Sequence, residues 1–301
     1  MVRRPFCTIK KGGNSLKKVL PTILIILVFL SGIVVFIYPA VSNYLYEKNS
    51  TQAITEHTES VSKLTPKQIA DEKEAVYRYN KSLFENESVL TDPFDPDAYP
   101  ITDGEYTKLL AFDKVMAYVE IPAIDVYLPI YHGTDEETLL NGVGHLENTS
   151  LPGGGKSTHA VLSAHRGLPS ARLFTDLNLL KKDNIFRIYV LDEVLTYQVY
   201  DIETVNPDNT SSLHIKEGED LVTLITCTPY GENTHRLLVH GRRIEVKENA
   251  VIEEPKIENG MTWEDFSRIA AIGITVIFVL LLLGSAVKAI IRRKMKNKKE
   301  A

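Results

Sequence analysis

The chain has two long uncharged stretches, and between them the spacing of apolar residues changes from helical to alternating. Val19 to Tyr38 carries no charge over about twenty residues. At 1.5 Å per residue that length spans about 30 Å, the thickness of the hydrocarbon layer of a membrane. Ile269 to Val287 is a second such run. Transmembrane helices are therefore expected over 19–41 and 269–291. Between 42 and 90 the apolar residues Ile54, Val61, Leu64, Ile69, Ala75, Val76 and Leu83 are scattered among charges, as in one or two amphipathic helices. The break is expected at Pro66, which follows Thr65 as a proline at the first helical position would.

From about 104 the pattern alternates. Met116 to Ile121, Val126 to Tyr131, Ala160 to Ala164, Ile185 to Leu191, Leu195 to Val205, Leu221 to Thr226 and Leu237 to Val246 are short segments rich in Val, Ile, Leu, Thr and Tyr. Pro122, Gly133, the Pro152 to Gly155 cluster, Asp183 with Asn184, Pro207 and Gly218 separate them as turns. Helical pieces are expected only near Thr138 to Gly142 and Ser170 to Leu180. Many short strands at this spacing predict a mainly β domain, a closed barrel or a sandwich, rather than a parallel sheet wrapped by helices.

Charge orients these elements. Arg3, Arg4, Lys10, Lys11, Lys17 and Lys18 precede the first span, and Lys288, Arg292, Arg293, Lys294, Lys296, Lys298 and Lys299 follow the second. The positive-inside rule puts both ends in the cytoplasm and the middle, 43–262, outside. Tyr38, Tyr44, Tyr46, Trp263 and Phe266 suit the outer aromatic belt. Ala40 and Ser42 also leave a cleaved signal peptide open, although the apolar core is longer than a usual signal core of about 7–15 residues. In either case the second span tethers the domain. The net charge is −5 and the basic runs flank the two spans rather than gathering on the central domain, which argues against nucleic-acid binding.

Two cysteines are present. Cys7 lies before the first span, on the opposite face of the membrane from Cys227, so the two are not expected to pair. An unpaired thiol at the end of an apolar strand in an outward-facing domain is either a nucleophile or a buried structural group. A nucleophilic cysteine needs a charge favouring the thiolate, a proton donor for the leaving group and a donor where the oxyanion develops. Arg236 follows Cys227 after the loop Thr228 to Thr234, short enough for a hairpin, and its guanidinium can serve both thiolate and oxyanion. His165 ends the apolar segment Ala160 to Ala164, where a barrel presents side chains at its rim. His145, His159, His235 and His240 remain open on spacing alone. Taken singly, His165 and Arg236 also read as a satisfied core histidine and a strand surface charge.

Thr223, Leu224, Ile225, Thr226 and Cys227 resemble the Thr-Leu-x-Thr-Cys signature of the sortases, membrane-anchored cysteine transpeptidases of Gram-positive bacteria. Leu162 to Gly167 is similar to their catalytic-histidine segment, and Arg236 to Val239 to their arginine strand. The resemblance covers about 110–247. It implies an eight-stranded sortase β-barrel, with Cys227 as nucleophile, His165 as general acid and base, and Arg236 as oxyanion and substrate-positioning group. Thr91 to Asp95 is similar to the lid of class C, pilus-assembling sortases. By that resemblance Asp92, Pro93 and Phe94 form a lid in which Asp92 pairs with Arg236 and Phe94 shields Cys227. Without the family, the same residues read as a proline-containing turn.

The organisation expected is a basic tail at 1–18, a span at 19–41 and a helical segment at 42–90. A lid at 91–103 and the catalytic barrel at 104–249 follow. A linker at 250–268, a second span at 269–291 and a tail at 292–301 complete it. The reaction implied is cleavage of a Leu-Pro-x-Thr-Gly-like signal through a Cys227 thioester and transfer to a pilin lysine, with pilin subunits and membrane lipid as partners. No cofactor is implied. No metal is implied either, because Asp135, Glu136 and Glu137 suit the start of a helix. A non-catalytic surface binding domain and a hydrolytic cysteine peptidase are the alternatives.

Overall fold

A computed structural model describes residues 13–86, 89–95 and 104–245, with isolated positions at 272, 273, 277 and 284. The span expected at 269–291, apart from those positions, lies outside the described residues, as do the linker at 250–268, the tail at 292–301 and lid residues 96–103.

Helix α1 runs unbroken over Gly13–Ser62, so the first apolar span and the amphipathic segment after it are one element. It is the one helix among the described residues long and apolar enough to cross a membrane. Its sides change along its length. Leu27, Val34, Val35, Tyr38, Tyr44 and Leu45 are exposed, whereas Ser50, Ile54, His57 and Val61 are buried at the four- and three-residue spacing of one helix face. Tyr46 Oη donates to the carbonyl of Asn141, and Asn43 Oδ1 accepts from the amide of Arg172, both close to where the apolar span ends.

Helix α2, Pro66–Glu85, starts where expected. Thr65 caps it: its hydroxyl accepts from the Gln68 amide while the Gln68 side chain accepts from the Thr65 amide. Val76, Tyr79 and Asn80 form its buried face. The Asn80 amide clasps the backbone of Leu151, donating to its carbonyl at 3.1 Å and accepting from its N–H at 2.7 Å.

Eight strands follow: β1 Ala117–Ile121, β2 Val126–His132, β3 Val143–His145, β4 Thr158–Ser163, β5 Ile185–Val190, β6 Glu193–Val205, β7 Asp220–Thr228 and β8 His235–Arg243. They close into a barrel in the order β1-β2-β3-β4-β7-β8-β6-β5, with β5 returning to β1. The β2–β3 and β4–β7 pairs are parallel and the others antiparallel. Closure removes every sheet edge.

Seven of these strands match the alternating segments to within a few residues. The eighth, β3, is three residues long with a central glycine, too short to show a period. The helix expected over Ser170 to Leu180 is instead irregular, with one short turn at Leu177–Leu179. Its amides are used elsewhere: Phe174 N–H bonds the carbonyl of His165 and Arg172 N–H bonds Asn43. The short helix near Thr138 forms as α3, Glu136–Asn141, with Asp135 as its cap and Glu136 and Glu137 in its first turn.

Strand β1 buries alternate residues, as a sheet with one wet face does. Strands β4 and β7 are buried almost throughout. Val161 of β4, Ile225 of β7 and Leu238 of β8 form a buried cluster with Leu146 and Leu213, onto which Leu90, Phe94 and Val205 pack.

Candidate active site

The parallel pairing of β4 with β7 sets Ser163 opposite Ile225. Two hydrogen bonds carry that register past the end of β4: Ala164 N–H to the carbonyl of Ile225 at 3.2 Å, and Thr226 Oγ1 to the carbonyl of Ala164 at 2.7 Å. The next residues in that register are His165 and Cys227. On the other side of β7, Cys227 is the direct cross-strand partner of Arg236. His165, at the end of β4, Cys227 on β7 and Arg236 on β8 thus form a row of positions in register.

The other histidines are held elsewhere. His145 is fully buried between Tyr106 and the carbonyl of Ser150. His159 and His240 are buried and bonded to Thr223. His235 neighbours Arg236 on β8 and so points to the opposite face. His165 is half-buried, and its imidazole makes no hydrogen bond among the described residues. Burial lowers its pKa, with Glu136 opposing. A neutral imidazole free to exchange a proton results.

Arg236 is only 8 % exposed. Its Nε and Nη2 donate to the two carboxylate oxygens of Asp92 at 2.8 and 2.6 Å, a fork-to-fork pair. Its Nη1 donates to the carbonyls of Asn233 and His235, each at 3.0 Å. The Phe94 ring stacks on the guanidinium, 5.2 Å from its carbon to the ring centre, and packs on His165 at 5.8 Å between rings. Pro93 between them is buried, and Asp95 N–H closes the turn onto the carbonyl of Asp92. Phe94 thus contacts both Arg236 and His165.

The electrostatics differ from the sequence expectation in one respect. Arg236 was expected to favour the thiolate, yet the Cys227 pKa is raised. Burial raises it most, Arg236 lowers it, and the Asp92 carboxylate raises it again. With Asp92 in place the guanidinium is already matched by a charge, so Cys227 rests as a thiol.

A cavity of about 450 Å³ opens beside the row, lined by Asp92, Phe94 and Arg236 on one side and by Pro207, Asp208 and Thr210 on the other. The last three belong to the β6–β7 loop and carry no local spacing that would mark them in the sequence. Arg166 is a second feature missed there. It ties the histidine segment to the end of β7, donating to Thr228 Oγ1, the carbonyl of Thr175 and Asn178 Oδ1. Among the motif residues, Leu224 is fully buried, Thr226 holds the histidine segment, and Thr223 bonds two histidines. No cluster of three or more metal-ligating side chains occurs among the described residues.

The sortase-domain family model matches residues 119–244. Sortase C1 of GBS pilus island 1 is 43 % identical, with a TM-score of 0.63, over 68 % of this chain and 96 % of that one. The chain belongs to the sortase family. Sortase C-1 from Actinomyces oris is 49 % identical with a TM-score of 0.56, over 59 % and 99 % of the two chains. Sortase A of Bacillus anthracis is 25 % identical over 227 residues, 75 % of this chain and 95 % of that protein. This sortase is therefore a cysteine transpeptidase, and its structural neighbours are class C enzymes.

Proposed function

We propose that this sortase polymerises pilin subunits from the outer face of a membrane, with Cys227, His165 and Arg236 as its catalytic residues and Asp92, Pro93 and Phe94 as a lid. The observation that carries the reading is the two-pronged pair between Asp92 and Arg236, with Phe94 laid across Arg236 and His165. A carboxylate and an aromatic ring occupy the groups that an acyl substrate would need, so substrate enters only when this segment leaves. Class C neighbours support the choice of acceptor: one of them, sortase C of Streptococcus pneumoniae, has pilin substrate specificity.

The reaction follows from the row. Cys227 Sγ adds to the Thr–Gly carbonyl of a Leu-Pro-x-Thr-Gly-like signal as the thiol proton passes to His165. Arg236, freed from Asp92, donates to the oxyanion. The C–N bond then breaks, His165 returns the proton to the departing glycine amine, and a thioester remains. A pilin lysine amine attacks that thioester, gives its proton to His165, and leaves an isopeptide bond as Cys227 is reprotonated. No cofactor takes part in these steps.

Helix α1 serves as the N-terminal anchor, and the run 269–291 as a second one, with both termini cytoplasmic. Incubation of the 43–262 ectodomain with such a peptide, followed by mass spectrometry, tests the chemistry. Cleavage between Thr and Gly with an acyl adduct on Cys227, absent in Cys227→Ala, is the expected result. The Asp92→Ala variant belongs in the same experiment, since a shut lid silences the wild type. Product carrying an added lysine amine, rather than water, distinguishes transfer from hydrolysis. Silence from both wild type and Asp92→Ala would overturn the assignment.

A further inference from the structure

Four side chains on four neighbouring strands form one chain of hydrogen bonds near the catalytic row, buried at His159, Thr223 and His240 and ending at the partly exposed Glu203. His159 on β4 places Nδ1 3.0 Å from the carbonyl of His214 and Nε2 2.7 Å from Thr223 Oγ1 on β7. Thr223 Oγ1 lies 2.8 Å from His240 Nδ1 on β8, and His240 Nε2 lies 3.1 Å from Glu203 Oε1 on β6. These strands carry or adjoin His165, Cys227, Arg236 and the cavity-forming β6–β7 loop.

Counting hydrogens shows what this chain requires. The carbonyl of His214 only accepts, so His159 Nδ1 must donate, and the Glu203 carboxylate only accepts, so His240 Nε2 must donate. Four contacts need four hydrogens. Two neutral imidazoles and one hydroxyl supply three. The fourth is an added proton, and without it one contact fails.

Burial lowers the pKa of both rings, that of His159 to about 4. At His240 the Glu203 carboxylate opposes burial. The added proton therefore belongs on His240. The charged groups facing it are Glu203 and Asp201 from β6 and Lys216 from the β6–β7 loop, with the His159 and Tyr200 rings packed nearby. His159 faces His214 and Lys216 in addition to His240.

We propose that His159, Thr223, His240 and Glu203 are positioning residues that hold the β6–β7 loop through one bound proton, and so set the width of the cavity beside Arg236 according to pH. The loop is held at the carbonyl of His214, and its residues Pro207, Asp208 and Thr210 form the cavity wall. A second cavity of about 270 Å³, lined by His159, His214, Leu90 and Phe84, gives the loop room to shift. The inference rests on reading the larger cavity as the substrate cleft.

Glu203→Gln is the decisive variant. A glutamine amide can donate to an unprotonated His240 Nε2, so all four contacts are made with no added proton. Ring nitrogen-15 NMR of the wild type, assigned with His240→Asn, is expected to show His240 gaining a second N–H as pH falls from about 8 to 5, and Glu203→Gln to lack that change. The wild-type KM, relative to that of Glu203→Gln, is expected to rise about three- to tenfold across the same range as pH increases, with the kcat ratio flat. Thr223→Val, which breaks two contacts, is expected to keep the higher KM at every pH. Wild-type rings that gain no proton in this range, or a KM ratio that stays flat, would overturn the proposal. If no peptide is turned over, the functional reading itself fails. Ring titration, together with hydrogen exchange of the β6–β7 loop in wild type and Glu203→Gln, then decides the tie by itself.

Discussion

Arg236 is paired with Asp92 and acts through space on Cys227, and in the proposed reaction it also meets the oxyanion; a single guanidinium cannot serve all three fully at once. Removing the carboxylate therefore changes the thiol. Asp92 raises the Cys227 pKa, so in Asp92→Ala that pKa falls and more thiolate is present at a given pH. Alkylation of Cys227 is expected to speed up, by about threefold for each unit the pKa drops once the lower nucleophilicity of the less basic thiolate is counted, with the midpoint of its pH profile moved to the acid side. Equal rates and midpoints in wild type and variant would show that Asp92 does not control the thiol. The types of these residues were legible in the chain: an unpaired cysteine, an arginine after a hairpin-length loop and a histidine at a strand end. The neutral resting state of Cys227 was not, because it depends on burial and on a carboxylate 135 positions away in sequence.

The elements owe their positions to a few buried polar clasps. Asn80 is 2 % exposed and satisfies both the N–H and the carbonyl of Leu151, joining α2 to the loop before β4. Asn80→Ala leaves those two backbone groups unpaired. At about 1–3 kcal/mol for an orphaned buried group, the loss is expected to total about 2–4 kcal/mol. In a domain of this size that lowers Tm by roughly 5–15 °C, measurable by calorimetry. A fall of less than roughly 2 °C would mean that water replaces the amide without penalty. Seven strands and the helical character of α1 and α2 could be read from period and turn chemistry. The exceptions share one cause. Strand β3 and the segment after His165 take their shape from partners beyond the reach of a local repeat, a neighbouring strand in one case and Asn43, Arg166 and His165 in the other.

At the scale of the whole molecule, α1 joins the apolar span to the barrel without a hinge. Asn43 and Tyr46 dock two or more residues past the expected end of the span, and Ile54, His57 and Val61 continue the contact. An ectodomain begun at residue 64 therefore loses a face that one begun at residue 43 retains. Burial of Ile54 and Val61 contributes about 1.5–3 kcal/mol each. The shorter form is expected to unfold at a denaturant concentration lower by an amount matching a few kcal/mol, followed by far-ultraviolet circular dichroism. Identical midpoints would show that residues 43–63 only tether the barrel.

By itself the sequence determined the class of this molecule. Period separates spans, helices and strands because side-chain direction repeats every 3.6 residues in a helix and every second residue in a strand. Local chemistry marks turns, caps and a lone thiol because those effects act within a few residues. Tertiary structure decided which histidine stands beside Cys227, that Asp92 occupies Arg236, which loop walls the cavity, and that four hydrogen-bonded side chains are short of one hydrogen. Each of these depends on strand register and burial across a closed barrel, where residues 9, 62 and 144 positions apart come into contact. Local spacing records the first of these contacts, as a hairpin, but not the other two, because the energy that selects them comes from the packing of the whole sheet.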